Sequence, residues 1–137
     1  MRQALHQLQI TTNGQALVDV TVPIRRFVTA EGVTTGLLTV WCRHTSASLL
    51  VQENADPTVQ ADLLAFFRRV VPEGDAYHHQ DEGPDDMPAH IKAALTQVSV
   101  GIPIMRGRLV LGTWQGLYLF EHRDRPHRRE IVLHLSI

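Results

Sequence analysis

The chain has 137 residues, of which 44% are hydrophobic and 20% charged, with a formal net charge of −1. Those values fit one soluble domain large enough to bury its own core, and they exclude a global field that would draw the chain to nucleic acid or anionic lipid. Cys42 is the single cysteine, which rules out an intrachain disulfide and a zinc cluster built on thiolates. The N-terminus, MRQALHQLQI, lacks an apolar stretch of signal-peptide length, and no later run is long enough to span a bilayer. A cytoplasmic protein is the expectation.

Along the chain, Ala4, His6, Leu8 and Ile10 alternate with mostly polar neighbours, as in a half-buried strand. Asn13-Gly14 reads as a hairpin turn, and Leu17–Val22 continues in β style. Pro23 offers a start for a short helix ending at Gly32, although residues 23–31 do not settle between helix and loop. Leu37–Cys42 and Ala47–Gln52 read as strands on either side of a His44-Thr-Ser turn. Asp56-Pro57 opens a helix, because Asp accepts otherwise unpaired N–H groups and Pro is tolerated at the first helical position. Val59, Leu63, Phe66, Phe67 and Val70 recur at helical spacing and predict one apolar face. Residues 73–86 form a long acidic loop, and Pro88 starts a second main helix through about Gln97. Val98–Ile104, Arg108–Thr113, Trp114–Phe120 and Ile131–Ile137 complete a β-rich remainder. Strands on both sides of two main helices predict an α+β fold with mixed or antiparallel sheets packed as a sandwich.

Charge is unevenly placed: acid gathers over 73–86, and base at Arg123, Arg125, Arg128 and Arg129. His44 is either a strand-end histidine bonded to Thr45 or Ser46, or a ligand. His79 and His90 bracket the acidic loop but match no local metal motif, so only folding can join them. If His44, His79 and His90 converge, three imidazoles suit zinc or a neighbouring transition ion better than magnesium. Asp56 is accounted for by capping. Glu53 has no evident capping role and is the candidate general base or outer partner of a metal. In GTWQG (112–116), two glycines flank Trp114 and Gln115, which suit stacking on a heteroaromatic ring and bonding to its edge, or alternatively a core Trp beside a bonded Gln. The basic EHRDRPHRRE segment (121–130) is either a phosphate clamp or a solvated turn.

Taken together, HTSAS (44–48), ENADP (53–57), YHH (77–79), EGPDDMPAHIKAAL (82–95), GRLVLGTWQG (107–116) and EHRDRPHRR (121–129) resemble the YjbQ-like family, whose members carry the name secondary thiamine-phosphate synthase. The resemblance covers about the last hundred residues in the family's order. It implies an α+β fold assembled as a homotrimer, and a site of His44, His79 and His90 with Glu53, Trp114 and Gln115 nearby. The loop reading GPDDMPAH departs from the shorter Asn-rich version of many relatives, so its own contacts carry over less well than the histidines. The implied reaction joins hydroxymethylpyrimidine pyrophosphate to thiazole phosphate and releases pyrophosphate. Arg106, Arg108, Arg128 and Arg129 are candidates to neutralise the departing pyrophosphate, and Trp114 to orient a ring. The expected cofactor is a divalent ion, zinc first, with magnesium for the pyrophosphate. Two further readings stay open: a metal-dependent hydrolase using Glu53 as base, and a non-catalytic trimer that binds metal or a small ligand.

Overall fold

The computed structural model describes every residue from Met1 to Ile137. Two antiparallel sheets enclose the main core. The larger has the order β1 (Gln3–Thr12), β8 (His127–Ser136), β3 (Gly36–Cys42), β5 (Ser99–Met105) and β6 (Arg108–Leu109). The smaller has the order β2 (Ala16–Asp19), β7 (Gln115–Glu121) and β4 (Ala47–Glu53). Every ladder is antiparallel.

Strand periodicity decides what lies between the sheets. Leu38, Val40 and Cys42 of β3 and Ile131, Leu133 and Leu135 of β8 point inward. They meet Leu49 of β4, Leu117 and Leu119 of β7, and Ile24, Phe27 and Val28 of α1 (Thr21–Ala30). Residues 23–31, which the sequence left open between helix and loop, are thus mostly helical; the helix starts at Thr21, two residues before Pro23, and raises the helix count to three. The opposite face of the smaller sheet carries Leu17, Tyr118 and Phe120, covered by Leu63, Leu64 and Phe67 of α2 (Pro57–Val70). Strand β7 is thus apolar on both faces, which explains its unbroken Leu117–Phe120 run.

Asp56 caps α2 as expected, its side chain accepting from Thr58 N–H at 2.9 Å. The apolar face of α2 is narrower than the sequence predicts: Phe66 and Val70 are 48% and 54% exposed. The strand expected at Arg108–Thr113 shrinks to two residues, because Gly112–Trp114 turns away from the sheet. Strands β3 and β4, successive in the chain, belong to different sheets. The Arg43–Ser46 link between them is consequently a corner rather than a hairpin. After α3 (Asp86–Leu95), the chain is pinned to both sheets: Leu49 N–H donates to Gln97 O at 2.7 Å, and Cys42 N–H donates to Val98 O at 2.8 Å. The corner and α3 together frame the candidate site. No helix is long and apolar enough to cross a membrane.

Candidate functional site

The acidic loop and the first turns of α3 bring His79, Asp86 and His90 together, with their ligand atoms all within 4.8 Å of one another. Asp86 and His90 are four residues apart on α3, which places them on one face. His79 reaches the same point from the loop. One carboxylate oxygen, Asp86 Oδ2, lies 2.6 Å from His79 Nε2 and 3.2 Å from His90 Nε2. The other oxygen accepts from an Arg123 guanidinium N–H. Arg123 Nε also donates to Asp85 Oδ2 at 2.9 Å, and Arg123 Nη2 to Glu82 O at 2.9 Å. Burial alone would raise the Asp86 pKa, but the His79 hydrogen bond and the charges of His90 and Arg123 outweigh it and hold the carboxyl below its usual value. Asp86 is therefore an oriented, ionised group with one oxygen directed at two imidazoles.

The second nitrogen of His90 is equally constrained. His90 Nδ1 lies 2.9 Å from the carbonyl oxygen of Thr45. A carbonyl only accepts, so Nδ1 carries a proton. In the neutral ring, Nε2 then presents its lone pair to the Asp86 carboxylate, a repulsive arrangement unless a cation or proton lies between them. Orientation of a ligating imidazole by a carbonyl at its other nitrogen is a recurrent feature of metal sites.

His44 takes a different position. Its Nε2 accepts from Glu130 N–H at 2.7 Å, which leaves the proton of the neutral ring on Nδ1. Burial first, and the Arg129 charge second, lower the His44 pKa, so this ring stays neutral and offers a donor. His44 lines a cavity of about 790 Å³ together with Trp41, Cys42, Arg43, His90 and Thr96. Cys42 contributes a buried wall; burial raises its thiol pKa, which keeps it unreactive.

The remaining candidates lie elsewhere. Glu53 ends β4, and its Oε2 accepts from Ala55 N–H at 2.6 Å and Asp56 N–H at 3.3 Å, a local capping role the sequence did not reveal. Asn54 N–H donates to Trp114 O at 3.1 Å, and Asn54 Nδ2 to Thr113 O and Gln115 O at 3.2 and 3.3 Å. Gln115 Oε1 closes the turn by accepting from Gly112 N–H at 2.8 Å. Trp114 is 64% exposed at its tip and is no part of the core. Glu53, Trp114 and Gln115 thus form a second group, separated from His44 by the length of β4, about 20 Å for such a strand. Arg106 and Arg108 flank the β5–β6 turn and, like Arg128, are exposed. Arg129 is buried in an ion pair with Glu121 and also holds Ser46 O at 3.1 Å, so it braces the corner and is not free to clamp an anion.

Asp86 and Arg123 were not singled out as site residues from the sequence. The one signal pointing to them is the opposite sign of the 73–86 and 123–129 charge blocks, which pair in space through Arg123.

The sequence model of the UPF0047 protein YjbQ-like family matches residues 6–136. The chain belongs to the YjbQ-like family. It is 56% identical to a UPF0047 protein of Synechocystis over 98% of this chain and 92% of that protein. It is 37% identical to the UPF0047 protein YugU of Bacillus subtilis, over 91% of this chain and 93% of that one. Among solved structures, an uncharacterized conserved YjbQ/UPF0047 protein of Clostridium acetobutylicum superposes with a TM-score of 0.86 at 36% identity, covering 97% of this chain and 99% of that one. A protein of unknown function from Sulfolobus solfataricus shares the YjbQ-like fold with a TM-score of 0.86 at 21% identity, covering 98% of each chain.

Proposed function

We propose that this YjbQ-like chain holds a divalent transition ion, zinc first, at His79, Asp86 and His90, and acts on a phosphorylated, ring-bearing small molecule in the adjoining cavity. The observation that carries the reading is that two imidazoles, His79 and His90, face one oxygen of the ionised Asp86 carboxylate, with the other nitrogen of His90 held by Thr45 O. Two imidazoles and one carboxylate, with an arginine and a carbonyl orienting them, match the donor set that transition ions prefer over magnesium. Held there by His79, Asp86 and His90, such an ion would supply Lewis acidity. The chain's own groups supply the rest. The His44 Nδ1–H offers a polar contact at the cavity, and Trp41 offers a face for a ring. The specific reaction to test is formation of thiamine phosphate.

Elemental analysis of tag-free protein beside His79→Ala and His90→Ala should find about one transition ion per wild-type chain, lost in both variants. Wild-type protein that folds without retaining or binding such an ion would end this reading. Pyrophosphate release then separates the reactions: a need for both substrates supports the synthase, and turnover of one substrate alone supports a hydrolase. Retained metal with neither outcome supports a ligand-binding protein.

The second group of residues gains a role if copies associate. Leu5, Leu37, Trp41 and Met105 on the outer face of the larger sheet are 69%, 45%, 48% and 55% exposed. A single chain leaves these apolar side chains in water, and exposed apolar surface rimmed by polar residues can mark an association surface. We propose that this face is buried in a homotrimer, which would also allow Trp114 and Glu53 of one copy to approach the His44 cavity of the next. Light scattering should give three times the chain mass of 15.4 kDa. A Trp41→Arg variant should shift it to the monomer; monomeric wild-type protein would remove the proposal.

A further inference from the structure

Lys92 is the only lysine among the thirteen lysine and arginine residues of the chain. It is also 3% exposed, where lysines are almost never found without a charged partner. No carboxylate lies within ion-pair distance of it: none of the seven ion pairs includes Lys92. Its one hydrogen bond runs to a neutral acceptor, Gln15 Oε1, at 3.2 Å. Gln15 Nε2 in turn donates to Asp124 Oδ1 at 2.7 Å. The amide therefore stands between amine and carboxylate and keeps them apart.

The amine lines a cleft of about 350 Å³, separate from the Trp41 cavity, with Gln15, Arg68, Val71, Glu73 and Asp124. Arg68, at the end of α2, has no carboxylate partner either. Glu73 lines the same cleft as the amine, and desolvation together with the Asp124 and Asp85 carboxylates raises its pKa. One amine, one cation for an anionic substituent and one carboxyl to relay protons are the parts that imine formation uses.

We propose that Lys92 is an imine-forming amine whose cleft takes a small aldehyde or α-keto acid bearing a carboxylate. The neutral Lys92 nitrogen adds to the carbonyl carbon, and one of its protons passes to the carbonyl oxygen to give a neutral carbinolamine. Glu73 then delivers a proton to the departing hydroxyl, water leaves, and the nitrogen lone pair closes the C=N bond. Loss of the nitrogen-bound proton leaves the neutral imine and restores the carboxyl. The step consumes one carbonyl, releases one water and involves no oxidation or reduction. Arg68 holds the substrate carboxylate.

The test is reductive trapping with glyoxylate and cyanoborohydride, read by intact mass and peptide mapping. The chain contains two amines, Lys92 and the Met1 α-amine, which mapping separates. Lys92 in the folded protein should be carboxymethylated at least about tenfold faster than Nα-acetyl-lysine, through anchoring and orientation. Arg68→Ala should lower that rate several-fold more with glyoxylate than with uncharged formaldehyde, since only glyoxylate loses its carboxylate partner. Labelling of Lys92 no faster than Nα-acetyl-lysine, or equal glyoxylate labelling in Arg68→Ala, would overturn the proposal. The assay requires no metal, so its outcome stands apart from that of the metal analysis.

Discussion

Asp86→Ala should abolish transition-ion binding and destabilise the fold at the same time. The Asp86 side chain is 2% exposed and joins His79, His90 and Arg123 at one carboxylate. Its removal leaves the Arg123 guanidinium, itself 14% exposed, with a partner short, and frees two imidazoles that lose their common anchor. Breaking a buried ion pair from one side typically costs about 3–5 kcal/mol, because the remaining charge is left uncompensated. The retained Asp85 contact at 2.9 Å should keep the loss toward the lower end. Urea unfolding measures the first effect and metal content the second. Asp86→Asn separates them: it keeps the shape and one acceptor for Arg123, so it should recover part of the stability and little of the metal. An Asp86→Asn variant that binds metal as wild type does would show that the ion sits elsewhere.

The second large effect concerns acid and the buried Glu121–Arg129 pair. Glu121 is fully buried and accepts from Arg129, from the Thr12 hydroxyl, and from the backbone N–H groups of His122 and Arg123 at 3.0 and 3.2 Å. Burial works to raise its pKa, but the Arg129 and Thr12 hydrogen bonds outweigh burial and lower it from 4.5. A carboxyl whose folded value is depressed contributes stability that is present above the unfolded value. That contribution is lost as pH falls through the folded value. Asp85 and Asp86, lowered from 3.8, act in the same direction. The urea midpoint should therefore be level with respect to these groups above about pH 5 and fall below it. Arg129→Met should cost about 3–5 kcal/mol at pH 7 by stranding the Glu121 charge, and Glu121→Gln combined with Arg129→Met should recover much of that loss. A double variant as unstable as the single one would show that Arg129 acts mainly by holding Ser46 at the corner rather than by compensating Glu121.

His122 sits beside this pair and shows how far burial reaches. Its Nε2 lies 2.8 Å from the Ser48 hydroxyl, while the buried Nδ1 has no partner. Burial, reinforced by the Lys92 charge, lowers its pKa from 6.5 to about 3, so the ring is neutral in the folded chain at pH 5 and above. Because the ring gains its proton only on unfolding, His122 also lowers stability as pH falls below its ordinary value of 6.5, before the carboxylates begin to titrate.

What the sequence determined by itself is what depends on near neighbours. Alternation placed Ile131, Leu133 and Leu135 on one face, since a strand repeats every two residues. Asp56-Pro57 started a helix because the cap acts on an N–H two residues away. The ordered motifs were also enough to name the family. Other features depended on distant partners. Phe66 and Val70 lie on a helical apolar face yet remain exposed, because the smaller sheet covers only Leu63, Leu64 and Phe67. Trp114 reads equally as core or as exposed until the turn at Gly112 is formed. His44 and His90 both read as possible ligands, and only the tertiary structure separates them. Glu130 N–H, 86 residues away, occupies the nitrogen of His44. For His90, Thr45 O, 45 residues away, takes the opposite nitrogen and turns Nε2 to Asp86. An imidazole's capacity to ligate is set by whatever occupies its other nitrogen, and here both occupants come from distant parts of the chain.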